Sequence, residues 1–248
     1  MNLRGVYAIW WREMIAFLRE TPRLISAIVN PIVWLFIFGA GLGASVDVSG
    51  VDYQKFIFAG VLTQTFLFTS IFYGAYLVWD KRIDLLKSIL VSPLSRATIF
   101  FGKVLGGVTI SLMEALIVLV FGIFIGIPYT PASFLMSLLI VFIASAIFTS
   151  VGLTIGSMME SPEGFQLLSS FLLFPLFFLS GALFPLENLP GWLETVTAAN
   201  PVTYVVDMLR GTLLGVQHFD TSHNLLLLGV FLAITSAVGV EAFKRMKS

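Results

Sequence analysis

Glu114 stands near the centre of a long apolar run, and at that depth an ionisable group is expensive and a default candidate for function. Two chemistries are open to it: proton exchange, or a structural carboxyl bonded to a neighbouring Thr or Gln. A lone acid favours the structural reading. Thr63, Gln64 and Thr65, with Thr69 and Ser70 just beyond, place uncharged polar groups in the middle of another apolar run. Such groups need partners inside a bundle or water in a pathway. His218 and His223 are five apart with no other ligands near them in sequence, too few for a metal site. There is no phosphate-binding glycine loop, since Gly102-Lys103 is followed by valine and lacks the upstream glycine. Neither a G-x-S-x-G elbow nor an H-E-x-x-H pair occurs. These absences point to a chain that binds or moves something without fuel of its own, rather than an enzyme.

The elements that must position these groups are membrane helices. Apolar residues make up 58% of the 248 and charged residues 11%, far from the soluble norm of roughly 45–50% and 25%. Several runs exceed the roughly 20 residues that cross a bilayer. The expected fold is all-α and polytopic, a single transmembrane domain over 1–248 with spans at 24–44, 56–79, 104–126, 132–159, 165–184 and 225–243. Cysteine is absent, which excludes disulfides. No cleavable signal peptide is expected, because Met1 to Arg23 carries Glu13 and Glu20 and lacks a short apolar core.

Residues 1–23 predict an amphipathic interfacial helix. Leu3, Val6, Tyr7, Trp10, Met14, Phe17 and Leu18 fall on one face, and Arg4, Arg12, Glu13, Arg19 and Glu20 on the other. Asn30-Pro31 predicts a kink in the first span. Glycines four apart, at 39/43, 102/106, 122/126 and 152/156, favour close helix packing. The fifth span is dense in phenylalanine, with Phe171, Phe174, Phe177 and Phe178, and Pro175 and Ser180-Gly181 should bend it. Packing and lipid contact explain the rings most simply; a slippery wall for an apolar substrate is the sharper alternative. In 185–224, Asn188-Leu-Pro190 and Asn200-Pro201 each predict a helix start with an asparagine cap. Two short helices should dip into the outer interface there as a re-entrant segment, buried against protein.

The charged interruption at 80–103 carries Lys81, Arg82, Lys87, Arg96 and Lys103. Within it, apolar residues at 83, 86, 89 and 90 predict a short surface helix ended by Ser92-Pro93. Two readings stand: a handle for a soluble partner, or a solvated loop with snorkelling lysines. With six spans, twelve of the fourteen Lys and Arg fall on the side of the termini and two, Lys55 and Arg210, on the other. The asymmetry predicts cytoplasmic termini, a cytoplasmic 80–103 loop and an extracytoplasmic 185–224 segment.

Two motifs carry a resemblance. Leu85-Leu-Lys-Ser-Ile-Leu-Val-Ser-Pro-Leu-Ser-Arg96 followed by Gly102-Lys103 is one; Phe178-Leu-Ser-Gly-Ala-Leu-Phe-Pro185, Leu189-Pro190, Asn200-Pro-Val-Thr-Tyr204 and Asp207-Met-Leu-Arg210 is the other. Together they resemble the transmembrane subunit of an ATP-binding-cassette exporter of the type-2 permease family, whose members export drugs, nodulation factors and polysaccharides. The residues before the Leu-Leu pair, Asp80-Lys-Arg-Ile-Asp84, depart from the family's usual run. The resemblance implies a homodimer in the cell (inner) membrane, with an ATP-binding subunit docked beneath each copy. ATP and Mg would be bound by that partner and no cofactor by this chain; the other contacts are membrane lipid, with no nucleic acid. It implies ATPase coupling through Asp84, Leu85, Leu86, Lys87, Ile89, Leu90, Ser92, Pro93 and Arg96. It also implies a pathway near Thr63, Gln64, Thr65 and the four phenylalanines, and an outer gate at Phe184, Pro185, Asn200, Pro201, Tyr204, Asp207 and Arg210. The cargo would be amphipathic, lipid-like or glycan. The competing reading is a secondary transporter or channel that uses Glu114.

Overall fold

A computed structural model describes residues 2–19, 21–43, 47–48 and 51–246. The described chain is helical apart from turns and one two-residue hairpin, with Asp47 opposite Asp52. The helices are α1 (Leu3–Leu18), α2 (Thr21–Gly43), α3 (Tyr53–Phe72), α4 (Gly74–Arg82), α5 (Leu85–Val91), α6 (Arg96–Ile125), α7 (Pro131–Met158), α8 (Pro162–Phe178), α9 (Gly191–Ala199), α10 (Pro201–Leu214) and α11 (Thr221–Arg245). Among the described residues, four stretches are long and apolar enough to cross a membrane: 53–82, 96–125, 131–158 and 221–245. The architecture is that of a polytopic membrane bundle.

α3 is its axis. Phe56 to Leu67 are all buried, with α2, α6, α7, α8 and α10 around them. A helix apolar on every side is buried on every side here, and Thr63 and Thr65 at its centre are satisfied within the helix itself. Each bonds the carbonyl four residues back in its own helix, Ala59 at 2.8 Å and Val61 at 3.0 Å. α3 passes into α4 at Tyr73, where Gly74 lies against the Gly152 carbonyl of α7 and Gly156 against the Gly74 carbonyl. Without a side chain on these glycines the two backbones touch directly. Gly102 receives Ile9 of α1 in the same manner. Gly126 instead ends α6 in the left-handed conformation, φ +78°, so the 122/126 pair is half contact and half cap. The surroundings of Gly43 lie outside the described residues.

The termini of the helices follow their local chemistry. Thr130 and Ser133 form a capping box with Pro131 in the first turn of α7. Ser161 accepts from the Gly164 N–H at 3.0 Å to start α8. α8 has 17 residues, about 26 Å at 1.5 Å per residue, and stops at Phe178 rather than running on to 184. The chain then turns through Gly181 at φ +75°. Of the two expected asparagine caps, Asn200 is one, accepting from the Val202 N–H at 3.0 Å. Asn188 is not: it sits at φ +57° in the preceding turn, and α9 begins after Pro190 with no side-chain cap.

α1 differs from the simple two-faced expectation. Leu3, Tyr7, Trp11, Ile15 and Leu18 form an exposed apolar stripe, while Gly5, Ile9, Glu13 and Phe17 form the buried one against α6. The two stripes are two residues, about 200°, apart on the helix. One side suits lipid and the other suits protein, so Glu13 lies inside rather than in solvent.

Candidate functional site

The end of the bundle that carries α5 holds a buried ionic network. Lys103 of α6 is fully buried, with its ammonium 2.9 Å from Glu13 Oε1 and 2.7 Å from Asp80 Oδ2. Arg12 donates to Asp80 Oδ1 at 2.8 Å and to Glu13 Oε1 at 3.3 Å. The Tyr73 hydroxyl donates to Glu13 Oε2 at 2.7 Å. Two cations thus face two carboxylates, contributed by α1, α4 and α6. Burial lowers the Arg12 guanidinium pKa, but Asp80 and then Glu13 outweigh it and hold it above the ordinary arginine value. None of these five residues was singled out as a site by spacing. They come from segments up to 91 positions apart, and hydropathy counts them as surface charge.

Beside the network, the basic loop is built into the bundle. Lys81 donates to the carbonyls of Gly156, Ser157 and Met159 at the end of α7, where the helix leaves unbonded oxygens and negative partial charge. Arg82 lies over the Trp79 ring and 3.6 Å from Glu163. Asp84, in the left-handed conformation at φ +56°, turns the chain into α5.

α5 has an inner and an outer side. Leu86 is buried and Ile89 half-buried, packed with Ile9, Tyr73, Phe100 and Phe243. Ile83, Leu85 and Val91 are exposed, as is Pro93; Ser92 and Arg96 are half-buried. The side chains of Lys87 and Leu90 lie outside the described residues. The exposed side chains of this segment therefore include Ile83, Leu85, Val91 and Pro93. Leu86 and Ile89, the positions that periodicity would put foremost, hold α5 to its own chain.

A cleft of about 1050 Å³ opens along α3 and α4 from the network toward the bundle centre. Its deep end is lined by Asn30, Thr65, Phe68, Thr69, Phe72 and Glu114, and its α5 end by Arg12, Tyr76, Trp79, Asp80 and Leu85. Glu114 is nearly buried and accepts a hydrogen bond from the Thr69 hydroxyl. Ser70 and Ser111 pair at 2.8 Å one turn away. Of the expected pathway residues, Thr65 lines the cleft, whereas Thr63 and Gln64 are buried in the core. Phe174 and Phe177 meet the cleft-lining Phe68 edge to face at 5.9 and 6.3 Å. Phe177 is buried, Phe178 partly exposed, and Phe171, 85% exposed, points out of the protomer.

At the far end, α10 is buried against the bundle: Val202 to Arg210 are all buried. Asp207 accepts from the backbone N–H groups of His218 and Phe219 at 2.7 and 3.0 Å and from the Asn224 amide at 2.8 Å. Arg210 donates to the Gly181 carbonyl at 2.9 Å and lies 3.8 Å from the centre of the Phe56 ring. Asn200 donates to the Leu176 carbonyl at 2.7 Å, and the Tyr204 hydroxyl to that of Ala198. Of the expected gate residues, Arg210 reaches the 179–186 turn that holds Phe184 and Pro185, while Asn200, Tyr204 and Asp207 tie α10 to α8, α9 and the start of α11. His218 and His223 stack in an aromatic group with Phe219 and Tyr204.

A bundle of long apolar helices, with polar and ionic groups turned inward and a cleft running between them, is an integral membrane protein made to pass or hold a solute. Residues 4–214 match the ABC-2 type transporter family, and the chain belongs to that family. It is similar to the ycf38 protein of Cyanophora paradoxa, 28% identical over 84% of this chain and 73% of that protein. Nodulation protein J of Rhizobium leguminosarum bv. viciae is 24% identical over 96% of this chain and 93% of its own length. The inner membrane transport permease YadH of Escherichia coli K12 is 26% identical over 85% and 83%. Membership makes the chain the transmembrane transport subunit of an ABC transporter, whose partner is an ABC ATP-binding subunit.

Proposed function

We propose that two copies of this chain form the pathway of an inner-membrane exporter, each docked through α5 on an ATP-binding subunit that holds ATP and Mg. The observation that carries the reading is the two-sided α5. Its inner side packs on α4, with Leu86 in the apolar cluster that α1 and α6 share; its outer side bears Leu85 and Val91, with Ile83 just before it, and the cleft reaches Leu85. A push on the outer side is thus delivered to the helices that wall the cleft. Both termini and α5 are cytoplasmic in this reading, as the distribution of Lys and Arg requires, and α9 and α10 lie at the outer end.

Mechanically, closure of the ATP-binding subunits moves α5 and tilts α3–α4 against α7, where glycine backbones slide without side chains between them. The cleft alternates between the two sides, and the hydrogen-bonded Asp207 and Arg210 bound it outside. Aromatic walls from Phe68, Phe72, Tyr76 and Trp79, with Thr65, Thr69 and Glu114 at the deep end, suit an amphipathic cargo, lipid-like or glycan-bearing, over a bare ion. Nodulation protein J is named for nodulation, and a lipid-linked sugar is the cargo class to test first.

The test is copurification. The ATP-binding subunit should come down with the wild-type chain and be released by Val91→Asp, which leaves the bundle folded. Retention of a fully coupled subunit on Val91→Asp would remove α5 as the docking site. A second reading, proton-coupled secondary transport, is favoured by the position of Glu114 in the cleft. It requires transport by the chain alone and loss of that transport on Glu114→Gln.

A further inference from the structure

We infer that the Glu13–Lys103–Asp80–Arg12 network is a coupling clamp: it makes α1, α4, α5 and α6 one lever, so that movement imposed at α5 reaches the cleft. The inference rests on the permease reading and adds to it the residues that carry the movement. Three observations support it. The network joins three helices at one point, directly behind the short linker, 83–84, that leads into α5. It is charge-balanced and, at Lys103, fully buried, so each carboxylate is held by more than one donor and neither α1 nor α4 can leave without stranding an ion in the bundle. Finally, Arg12 and Asp80 are also walls of the cleft at its α5 end, so the lever and the pathway share residues.

The apolar contacts around it are weaker guides. α1 rests on Gly102 and Gly106 through Ile9 and Glu13, a smooth seam along which a helix could slide. The ion pairs stop that slide because their geometry holds at one register only. These residues act through α5 and the cleft rather than on ATP, so they are positioning residues. Lys103 is the pin, and Arg12, at the solvent edge with about a third of its side chain exposed, is the outer latch.

The experiment uses the full chain with its ATP-binding subunit, made free of cysteine, in nanodiscs. The chain has no cysteine of its own, so Ala75→Cys in the cleft wall reports alone, through its rate of labelling by a water-soluble maleimide. In the Ala75→Cys background the nucleotide-free and vanadate-trapped complexes should label at rates differing by about fivefold or more. With Lys103→Met added, ATP hydrolysis should continue while the two labelling rates converge. Lys103→Arg should restore the difference. A persistent wild-type difference in Lys103→Met, or a lost one that Lys103→Arg fails to restore, overturns the clamp. If Lys103→Met does not assemble, Arg12→Gln and Tyr73→Phe decide: each should shrink the difference, and a full response in both overturns the clamp. If the Lys103-intact complex does not form or shows no nucleotide response, it is the permease reading that fails, and the clamp with it.

Discussion

Lys103 shows how much a single buried charge constrains. Removing it as Lys103→Met strands Glu13 and Asp80 with only Arg12 and Tyr73 as donors, and breaking a buried pair costs about 3–5 kcal/mol. The expected result is a marked drop in the thermal unfolding midpoint in detergent, with Lys103→Arg much closer to wild type. Asp207 is the counterpart at the far end. Asp207→Ala leaves two backbone N–H groups and the Asn224 amide without their acceptor, a loss of about 3 kcal/mol or more, read in the same melt. Glu114→Gln should behave differently from both. The Thr69 hydroxyl can donate to an amide oxygen as it does to the carboxylate, so nucleotide-driven labelling of the cleft should survive the change.

At the scale of elements, α5 and the α4–α7 contact are the informative pieces. Leu86→Asp places a charge in a packed cluster and should lower yield and melting point before partner binding can be assayed. Val91→Asp, on a side chain 79% exposed, should leave the melt unchanged and abolish copurification of the ATP-binding subunit. Gly152→Val would drive a side chain into the Ile71 carbonyl where α3 meets α7. Overpacking of this kind costs about 1–3 kcal/mol, and the melt and nucleotide response should fall together. Periodicity predicts α5 and its end at Ser92-Pro93, and the resemblance makes Leu86 a coupling residue, whereas the fold buries Leu86. Hydrophobic spacing marks a face and does not say whether chain or partner covers it.

The bundle is a set of long helices around α3, with an ionic network at the α5 end, hydrogen-bonded Asp207 and Arg210 at the other, and a cleft that runs inward from the network. Cysteines placed at Leu3 and at Arg245 should both label from the cytoplasmic side and one at Trp192 from the outside, in intact cells and in inverted vesicles. Labelling of Arg245→Cys from outside would reverse the proposed orientation and remove α5 from reach of an ATP-binding subunit.

The sequence by itself determined the class. A bilayer demands long apolar helices whose ends carry the charge, and composition, run length, proline and glycine punctuation and a helix cap such as Asn200 are all local and readable in one dimension. It also held the motifs that resemble the type-2 permeases. Only the tertiary structure decided which charges are buried. Arg12, Glu13, Tyr73, Asp80 and Lys103 lie in separate segments, and an ion pair depends on distances of 2.7 to 3.3 Å across helices that no spacing along the chain encodes. For the same reason the left-handed turn at Asn188 and the early end of α8 became visible only in the fold, where neighbours replaced solvent as the partner of each polar group.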